Sequence, residues 1–466
     1  MAAIHELSAA QLSAAYARGE LSPVEALRAL LARLDAWEPR INAMYRVDRE
    51  GVAAQARAAE ARWRAGAPLG ALDGVPVTLK ENLFTRGDPA PIGTRANHDA
   101  LPQPEDCPPA ARLREAGCVI LGKTTMPDYG MLSSGVSSLH GITRNPWRTD
   151  RNPSGSSAGA AAAAAAGYAP LHLGTDIGGS LRLPAAHCGI FALKPSLGRV
   201  PIHPPYMGRV AGPITRSVRD AALLMQALAR PDARDYMSLP PHAIDFSAVE
   251  IEDAKGLRIG LLADMSAGLP VDPQVRAACE AAARALEGAG AKVEAMTSFL
   301  SRGMLDGMCR FFEARSHDEI SRLPPAKREK VLPFIVEWCT WRAAQFSGRD
   351  LMQAYGEVLE MREAAVAACL RFDYALSPAS PILPYEAELP APGNDPRNAL
   401  PHIAFTVPYN MSEQPAASLN WSASAEGLPI GVQVIGRRFD DLGVLRLARL
   451  VERLRPPQRP WPEPVN

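Results

Sequence analysis

The sequence predicts an α/β protein with a buried sheet, on three observations. Its 466 residues are 47% hydrophobic, 21% charged and 6% aromatic, which is the composition of a globular protein with a large core. Short apolar runs lie between turns at 74–80, 118–123 and 170–176. Stretches with helical spacing separate these runs, and strands that alternate with helices indicate a layered α/β fold.

Residues 7–66 are predicted to form two or three helices, because apolar residues recur there at three- and four-residue spacing. Ser8 and Ser22 are predicted N-caps, since a serine hydroxyl can accept a bond from the free N–H groups of a first turn. Pro23 at a first helical position and Gly19 at a helix end support these boundaries. We expect this region to serve packing rather than chemistry.

The second half of the chain continues the α/β pattern and then departs from it. A strand at 256–264, a helix and a strand at 291–296 are predicted in that order. Residues 299–372 are predicted to be a helical insertion on the sheet, whose aromatic side chains belong to the core or to a pocket wall. The proline-rich residues 378–402 predict a long ordered loop or a lid. We treat 1–466 as one domain.

The charge balance and the cysteines exclude several function classes. Fifty basic and fifty acidic residues cancel, so nothing indicates a nucleic-acid or membrane-surface partner, and we expect a small-molecule substrate. The seven cysteines contain no CxxC pair, which favours a reducing cytoplasm over disulfides or zinc. No signal peptide is predicted, and the alanine run from Ala158 is too short for a membrane span of about 20 residues. Neither a cofactor nor a metal is expected.

Two catalytic motifs match by letter but not by context. Residues 117–124 satisfy the P-loop pattern GxxxxGKT, but the residues between its glycines are predicted to be a strand rather than a phosphate-binding loop. Residues 155–159 satisfy GxSxG around Ser157, but a polar segment precedes them where a nucleophile elbow needs an apolar strand. HExxH is absent from the sequence, and we interpret His172 and His187 as core residues rather than bases.

Lys80 is a candidate general base. It ends the run LDGVPVTLK, so its charge arrives at the C-terminal end of a buried strand, where sites collect in α/β proteins. Burial lowers the pKa of a lysine, which is the condition for its acting as a base near neutral pH. The alternative is an ordinary ion pair with a residue such as Glu81.

Serines among glycines are candidate nucleophiles. Ser156 and Ser157 precede the alanine run, where a helix N-terminus offers free N–H groups, although an ordinary serine cap also fits. Gly178 and Gly179 precede Ser180, and glycine angles let N–H groups converge into an oxyanion hole, although a plain turn also fits. A lysine and serines together can form a nucleophile and base system without histidine.

The combined motifs resemble the amidase signature family of Ser-Ser-Lys amide hydrolases over nearly the whole chain. Ser156 and Ser180 stand 24 residues apart, which is the family's spacing. The resemblance implies a central mixed, twisted sheet covered by helices on both faces. The segments that carry it are LDGVPVTLKEN (72–82), SGSSAG (154–159), GTDIGGSLRLPAAHCG (174–189) and KPSLGRV (194–200), with closing strands at 405–421 and 427–441.

The resemblance also implies the role of each site residue. Lys80 would be the base, Ser156 the bridging serine and Ser180 the nucleophile, with a cis peptide bond before Ser156. The implied oxyanion donors are the backbone N–H groups of Ile177, Gly178, Gly179 and Ser180. The implied supporting residues are Asp176, Arg182 and Ser157.

The walls of the site suggest the substrate. The stretch that aligns with the family's acyl side contains Tyr129, Met131, Leu132 and Ser133. Trp338 and Trp341 are expected to cover the leaving group. Apolar and aromatic walls favour aryl or alkyl amides, and also carbamates or esters, over charged amino-acid amides, although an arginine could still bind a carboxylate.

We therefore predict a stand-alone amidase, monomeric or homodimeric, that works through an acyl-enzyme. The alternatives are the glutaminase subunit of a tRNA-dependent amidotransferase and a non-catalytic binding protein. Activity of the chain alone on simple amides would distinguish the stand-alone amidase from the glutaminase subunit.

Overall fold

The computed structural model describes residues 3–464. The strands are β1 Met44–Arg46, β2 Pro76–Lys80, β3 Val119–Thr124, β4 Val136–Ser137, β5 Gly141–Ile142, β6 Leu171–Asp176, β7 Phe191–Lys194, β8 Val210–Thr215, β9 Arg258–Leu261, β10 Lys292–Ala295, β11 Tyr374–Pro378, β12 Ala416–Ala423 and β13 Pro429–Ile435. The α-helices are α1 Ala9–Arg18, α2 Pro23–Ile41, α3 Arg49–Arg64, α4 Pro108–Glu115, α5 Ala158–Ala166, α6 Arg182–Cys188, α7 Val218–Leu228, α8 Pro273–Gly288, α9 Arg302–Ser321, α10 Pro325–Arg328, α11 Pro333–Thr340, α12 Gly348–Leu370, α13 Val407–Met411 and α14 Asp441–Leu454. Short 3₁₀ helices lie at Ile4–Glu6, Arg95–Asn97, Asp128–Gly130, Ala343–Gln345, Pro396–Asn398 and Pro401–Ile403.

Eleven of the strands form one mixed sheet, in the order β1-β3-β2-β6-β8-β7-β12-β13-β11-β9-β10. Strand β2 lies between β3 and β6 and runs parallel to both. The neighbours from β6 through β8, β7, β12 and β13 to β11 are antiparallel, and β9 and β10 are again parallel to β11. A sheet of this kind flanked by helices confirms the predicted α/β class.

Helices cover both faces of the sheet. Phe191 and Leu193 of β7 join a core cluster with residues of α7, α8 and α14. Ala192, between them, joins a different cluster with residues of α5 and α6. Because successive side chains of a strand point to opposite faces, the two groups of helices lie on opposite sides of the sheet.

The local signals at the N-terminus are confirmed. Ser8 and Ser22 are the N-caps of α1 and α2, and each hydroxyl accepts a bond from a backbone N–H of the first turn. Pro23 opens α2, and Gly19 ends α1 in the left-handed conformation that favours glycine. The predicted strands at 74–80, 118–123, 170–176, 256–264 and 291–296 are present as β2, β3, β6, β9 and β10.

One predicted strand is partly wrong. The closing segment 405–421 begins with helix α13, and strand β12 starts only at Ala416. Pro408 lies in the first turn of α13, where its missing N–H costs nothing, whereas a strand within the sheet would lose a ladder bond there.

Residues 299–372 contain helices α9 to α12. Their apolar side chains, Phe312 and Trp338 among them, form a core cluster with residues of the 396–411 segment. The proline-rich residues 378–402, predicted to be a long ordered loop or a lid, are irregular after Pro378 apart from two 3₁₀ helices. Among residues 3–464, no helix is both long and apolar enough to cross a membrane.

Helix α5 is buried along its whole length and packs directly against β2, β3 and β6. The small side chains of this alanine helix allow the close approach. The tightest position is Gly159, where an added Cβ would lie 2.5 Å from the backbone nitrogen of Thr125. Backbone atoms cannot move aside without shifting the strand that carries them.

We expect Gly159→Ala to destabilise the protein by about 1–3 kcal/mol or more, because it overpacks a rigid backbone contact. The matched control is Gly356→Ala within α12, where an added Cβ meets nothing within 4 Å. The control should be neutral or stabilising by about 0.5–1 kcal/mol, since alanine is the better helix former. Melting temperatures of the two variants test this, and equal values would contradict the close packing of α5.

Candidate active site

Lys80 is the last residue of β2, and its side chain is fully buried between the neighbouring strands and helix α5. Its Nζ lies 2.7 Å from Ser156 Oγ, 3.1 Å from Ser157 Oγ and 3.1 Å from Thr175 Oγ1. Ser156 and Ser157 lead into α5, and Thr175 is on the adjacent strand β6. The amine is therefore enclosed by three hydroxyl groups.

Burial lowers the pKa of Lys80 well below the ordinary lysine value, and the nearby positive charge of Arg209 lowers it further. The carboxylates of Asp176 and Glu81 act in the opposite direction but do not offset the burial. The ion pair with Glu81 that the sequence left open is not formed. The Glu81 carboxylate instead binds His140 Nε2 at 2.8 Å and the backbone N–H of Gly93.

Ser157 does not act as an ordinary helix cap. It occupies the N-cap position of α5, but its side chain makes no cap hydrogen bond. Its hydroxyl donates to the carbonyl oxygen of Thr175 at 3.1 Å and lies beside Lys80 Nζ. Thr175 is a site residue that the sequence analysis missed, although its place in the GTD motif next to Asp176 was a usable signal.

The serine pair and the glycine turn are joined directly. The backbone N–H of Ser157 donates to the carbonyl oxygen of Ser180 at 3.3 Å. The peptide bond between Gly155 and Ser156 is cis, as the resemblance implies. The Ser180 hydroxyl has no hydrogen-bond partner within residues 3–464 and borders an open pocket.

The turn from 177 to 180 presents backbone N–H groups, though not all four of those predicted. Gly179 has φ of +133°, an angle that favours glycine, and its N–H donates to Asp176 Oδ1 at 2.8 Å. That N–H is therefore engaged, which corrects its prediction as an oxyanion donor. Across the described part of the chain, the N–H groups of Ile177, Gly178 and Ser180 have no such partner.

Asp176 and Arg182 form a fully buried ion pair behind the turn, with Nη2 and Oδ1 3.0 Å apart. Asp176 also accepts from the N–H groups of Gly179 and Leu181, and Arg182 reaches across to the carbonyl oxygen of Thr406. Burial would raise the pKa of Asp176, but Arg182 and the N–H donors outweigh it and lower the pKa to about 2. The pair fixes the turn to β6 and to the segment that leads into α13.

An open pocket lies next to Ser180. Five of the predicted substrate-binding residues line it, namely Tyr129, Met131, Leu132, Ser133 and Trp338. Trp341 does not line the pocket. It is the C-cap residue that follows α11, and the guanidinium of Arg342 lies over its ring at 4.7 Å.

Helix α9 and the 396–411 segment contribute pocket residues that the sequence analysis missed. Phe312, Arg315 and Ser316 come from α9, and Leu400 and Ile403 complete the wall. Spacing along α9 indicated an apolar face, but nothing in the sequence showed which residues of that face meet Ser180.

The histidines next to these motifs are core residues, as interpreted. His172 bonds through Nδ1 to Thr78 and through Nε2 to the carbonyl oxygen of Ala169. Burial lowers its pKa to about 3, so it stays neutral. Among the described residues, no group of three or more His, Cys, Asp and Glu side chains is arranged to hold a metal ion.

Comparison with known proteins identifies the enzyme class. The structure superposes on a bacterial aryl acylamidase with a TM-score of 0.89 and 28% identity, covering 97% of each chain. The sequence is 34% identical to an acylamidase of Rhodococcus erythropolis over 97% of this chain and 96% of the relative. It is also 34% identical to a glutamyl-tRNA(Gln) amidotransferase subunit from Myxococcus xanthus (strain DK1622), over 96% of this chain and 97% of that one.

The fold and these relatives define an amidase, an enzyme that hydrolyses amides. The model of the family described as Amidase matches residues 25–445. The chain belongs to the amidase signature family. The alternative of a non-catalytic binding protein is thereby set aside.

We expect Asp176→Asn to lower the stability at pH 7 by about 3–5 kcal/mol, because it leaves Arg182 buried without its charge partner. A carboxyl with a lowered pKa stabilises the folded state above its unfolded pKa, and that contribution is lost as pH falls towards the folded value. The difference in melting temperature from the unsubstituted protein should therefore shrink between about pH 4 and pH 2.

The matched control is Asp150→Asn, which breaks an exposed pair with Arg148. Exposed pairs contribute about 0–1 kcal/mol, so this variant should melt close to the unsubstituted protein. Equal losses in both variants would contradict a special role for the buried pair.

Proposed function

We propose that the chain is a stand-alone hydrolase of C–N bonds in amides, with Lys80 as base, Ser156 as bridging serine and Ser180 as nucleophile. The observation that carries this proposal is the contact of 2.7 Å between Nζ of a fully buried lysine and Ser156 Oγ. Because burial lowers the pKa of Lys80, a neutral amine is available there to accept a proton.

The hydroxyls around Lys80 favour one direction of proton transfer. A neutral amine has two N–H donors and one lone pair. Ser157 uses its own proton on the carbonyl oxygen of Thr175, so it can only accept from Nζ. If Thr175 takes the second N–H, the lone pair is left for the hydroxyl proton of Ser156.

The proposed reaction begins when Ser180 Oγ attacks the amide carbonyl. The Ser180 proton passes to Ser156 while the Ser156 proton passes to Lys80, which becomes an ammonium. The N–H groups of Ile177, Gly178 and Ser180 bind the oxyanion. The relay then returns the proton to the leaving nitrogen, because an amine anion is a very poor leaving group, and the amine departs from an acyl-enzyme.

Water completes the cycle by attacking the acyl-enzyme while Lys80 again accepts a proton through Ser156. The bond between the acyl carbon and Ser180 Oγ then breaks, the relay returns the proton to Ser180, and the carboxylic acid leaves. The same chemistry extends to anilides, carbamates and esters, since each presents a carbonyl with a leaving group on nitrogen or oxygen. The apolar part of the pocket wall supports aryl or alkyl groups as the body of the substrate.

A glutaminase subunit of a tRNA-dependent amidotransferase is the second candidate, because several relatives at 30–34% identity carry the name of a glutamyl-tRNA(Gln) amidotransferase subunit. We favour the stand-alone enzyme because an acylamidase and an aryl acylamidase are equally covered relatives. We further propose a monomer or homodimer in the cytoplasm. The seven cysteines are free thiols, which supports a reducing compartment. Hydrolysis of simple amides by the purified chain alone decides between the two candidates.

We expect Ser180→Ala and Lys80→Met each to lower kcat/KM for a 4-nitroanilide at least about a thousandfold, since each removes a member of one relay. Ser316→Ala is the control for the first, because it removes a hydroxyl of the same pocket. Lys194→Met is the control for the second, because Lys194 is equally buried but its Nζ bonds, among the described residues, only the carbonyl oxygen of Pro195. Full activity of either test variant would refute the proposed relay.

The proposed base also predicts the pH dependence. Lys80 must be neutral, so kcat/KM should rise with pH through one ionisation well below the ordinary lysine pKa and then level off. Arg209→Gln removes a positive charge that lowers this pKa, so the rising limb should move to higher pH. The control is Arg216→Gln, another half-buried arginine, which is not among the groups that shift the pKa of Lys80. An unchanged limb in Arg209→Gln would contradict Lys80 as the titrating group.

A further inference from the structure

One cation enters the substrate pocket beside the candidate nucleophile. Arg315 of α9 and Ser180 line the same pocket, together with apolar side chains such as Phe312 and Trp338. Binding of a purely neutral substrate beside a guanidinium costs free energy, because the substrate displaces water from the charged group without replacing its hydrogen bonds. Its presence calls for a ligand group that it can bind.

Arg315 is held in place without being neutralised. Its guanidinium carbon lies 4.1 Å from the centre of the Tyr206 ring, so the planar group stacks on the ring face. Throughout residues 3–464, no carboxylate forms a salt bridge with it and no acceptor forms a hydrogen bond with it; Glu319 interacts with it through charge alone. Stacking uses the face of the guanidinium and leaves its N–H edge for a ligand.

The charges around Arg315 also favour an anion. Arg209 is close enough that the two positive charges interact, and burial together with Arg315 lowers the pKa of Arg209 to about 10. Glu319, one turn further along α9, is the nearby acid, and burial raises the pKa of its carboxyl. Two guanidiniums against one carboxyl leave a net positive charge around Arg315.

We infer that the enzyme prefers amides that carry a carboxylate, which Arg315 binds while the apolar wall holds the body of the substrate and the carbonyl lies at Ser180. This inference rests on the proposed function. An arginine can bind a carboxylate through two parallel hydrogen bonds, which adds orientation to affinity. Arg315 is then a specificity residue, and the earlier preference for uncharged amides is reversed.

The test compares pairs of substrates that differ only in the carboxylate. On the acyl side the pair is glutaric acid mono-4-nitroanilide and pentanoyl 4-nitroanilide. On the amine side it is 4-acetamidobenzoate and 4-acetamidotoluene. Because hydrogen bonds to charged groups are strong, we expect kcat/KM in one of the two pairs to be on the order of tenfold to a hundredfold higher for the carboxylate substrate than for its neutral partner.

Arg315→Gln should bring that ratio towards one, and Arg315→Lys should restore part of it. The matched control is Arg322→Gln, at the exposed C-terminal end of the same helix, where the ratio should stay unchanged. Equal kcat/KM within both pairs, or a preference that survives Arg315→Gln, would overturn the inference.

Binding separates this inference from the proposed function. In the Ser180→Ala background, calorimetric titration with both members of each pair should show the same preference for the carboxylate, and Arg315→Gln should abolish it. Turnover that persists in Ser180→Ala would refute the proposed nucleophile and leave the binding result to decide the role of Arg315. Equal affinity for the carboxylate and neutral members would refute the role of Arg315 whatever the nucleophile is.

Discussion

The site depends on excluding water from one amine. Lys80 lies at the end of β2 with its Nζ among three hydroxyls and no direct carboxylate contact. Keeping a lysine neutral requires burial that is not compensated by an ion pair. Glu81, the adjacent acid, is turned away to His140, so its charge does not directly stabilise an ammonium at Nζ. The close packing of α5 on the sheet maintains this burial.

A second buried feature, the ion pair of Asp176 and Arg182, holds the turn that carries Ser180 in place. There the structure uses full charge, with Asp176 paired to Arg182 and accepting two N–H groups of the turn. The pair extends through Arg182 to the 406–410 segment, so it joins the turn to helix α13. Among the described residues, the groups that contact the amine of the proposed base are thus uncharged hydroxyls, whereas a full ion pair lies behind the proposed nucleophile.

The sequence predicted the parts of the site that local rules determine. Strand β2, the alanine helix and the glycine turn each follow from patterns of a few residues, and Lys80, Ser156 and Ser180 sit at their ends. The sequence could not assign Arg315 or Trp341, because a position on an amphipathic helix does not define which neighbour it faces. It also misjudged the N–H of Gly179, whose direction depends on Asp176 accepting from it. Side-chain partners across the fold decide these points.

Arg209 links the proposed base and the proposed carboxylate-binding residue, because its positive charge interacts with both Lys80 and Arg315. A positive group near the base helps to keep it unprotonated, and a positive group in the pocket attracts an anion. An anion bound at Arg315 offsets part of that positive field and so makes Lys80 easier to protonate. The proton that leaves Ser180 in the proposed reaction must be accepted at Lys80, so the same rise in pKa helps this transfer but also lowers the fraction of Lys80 that is neutral before the reaction.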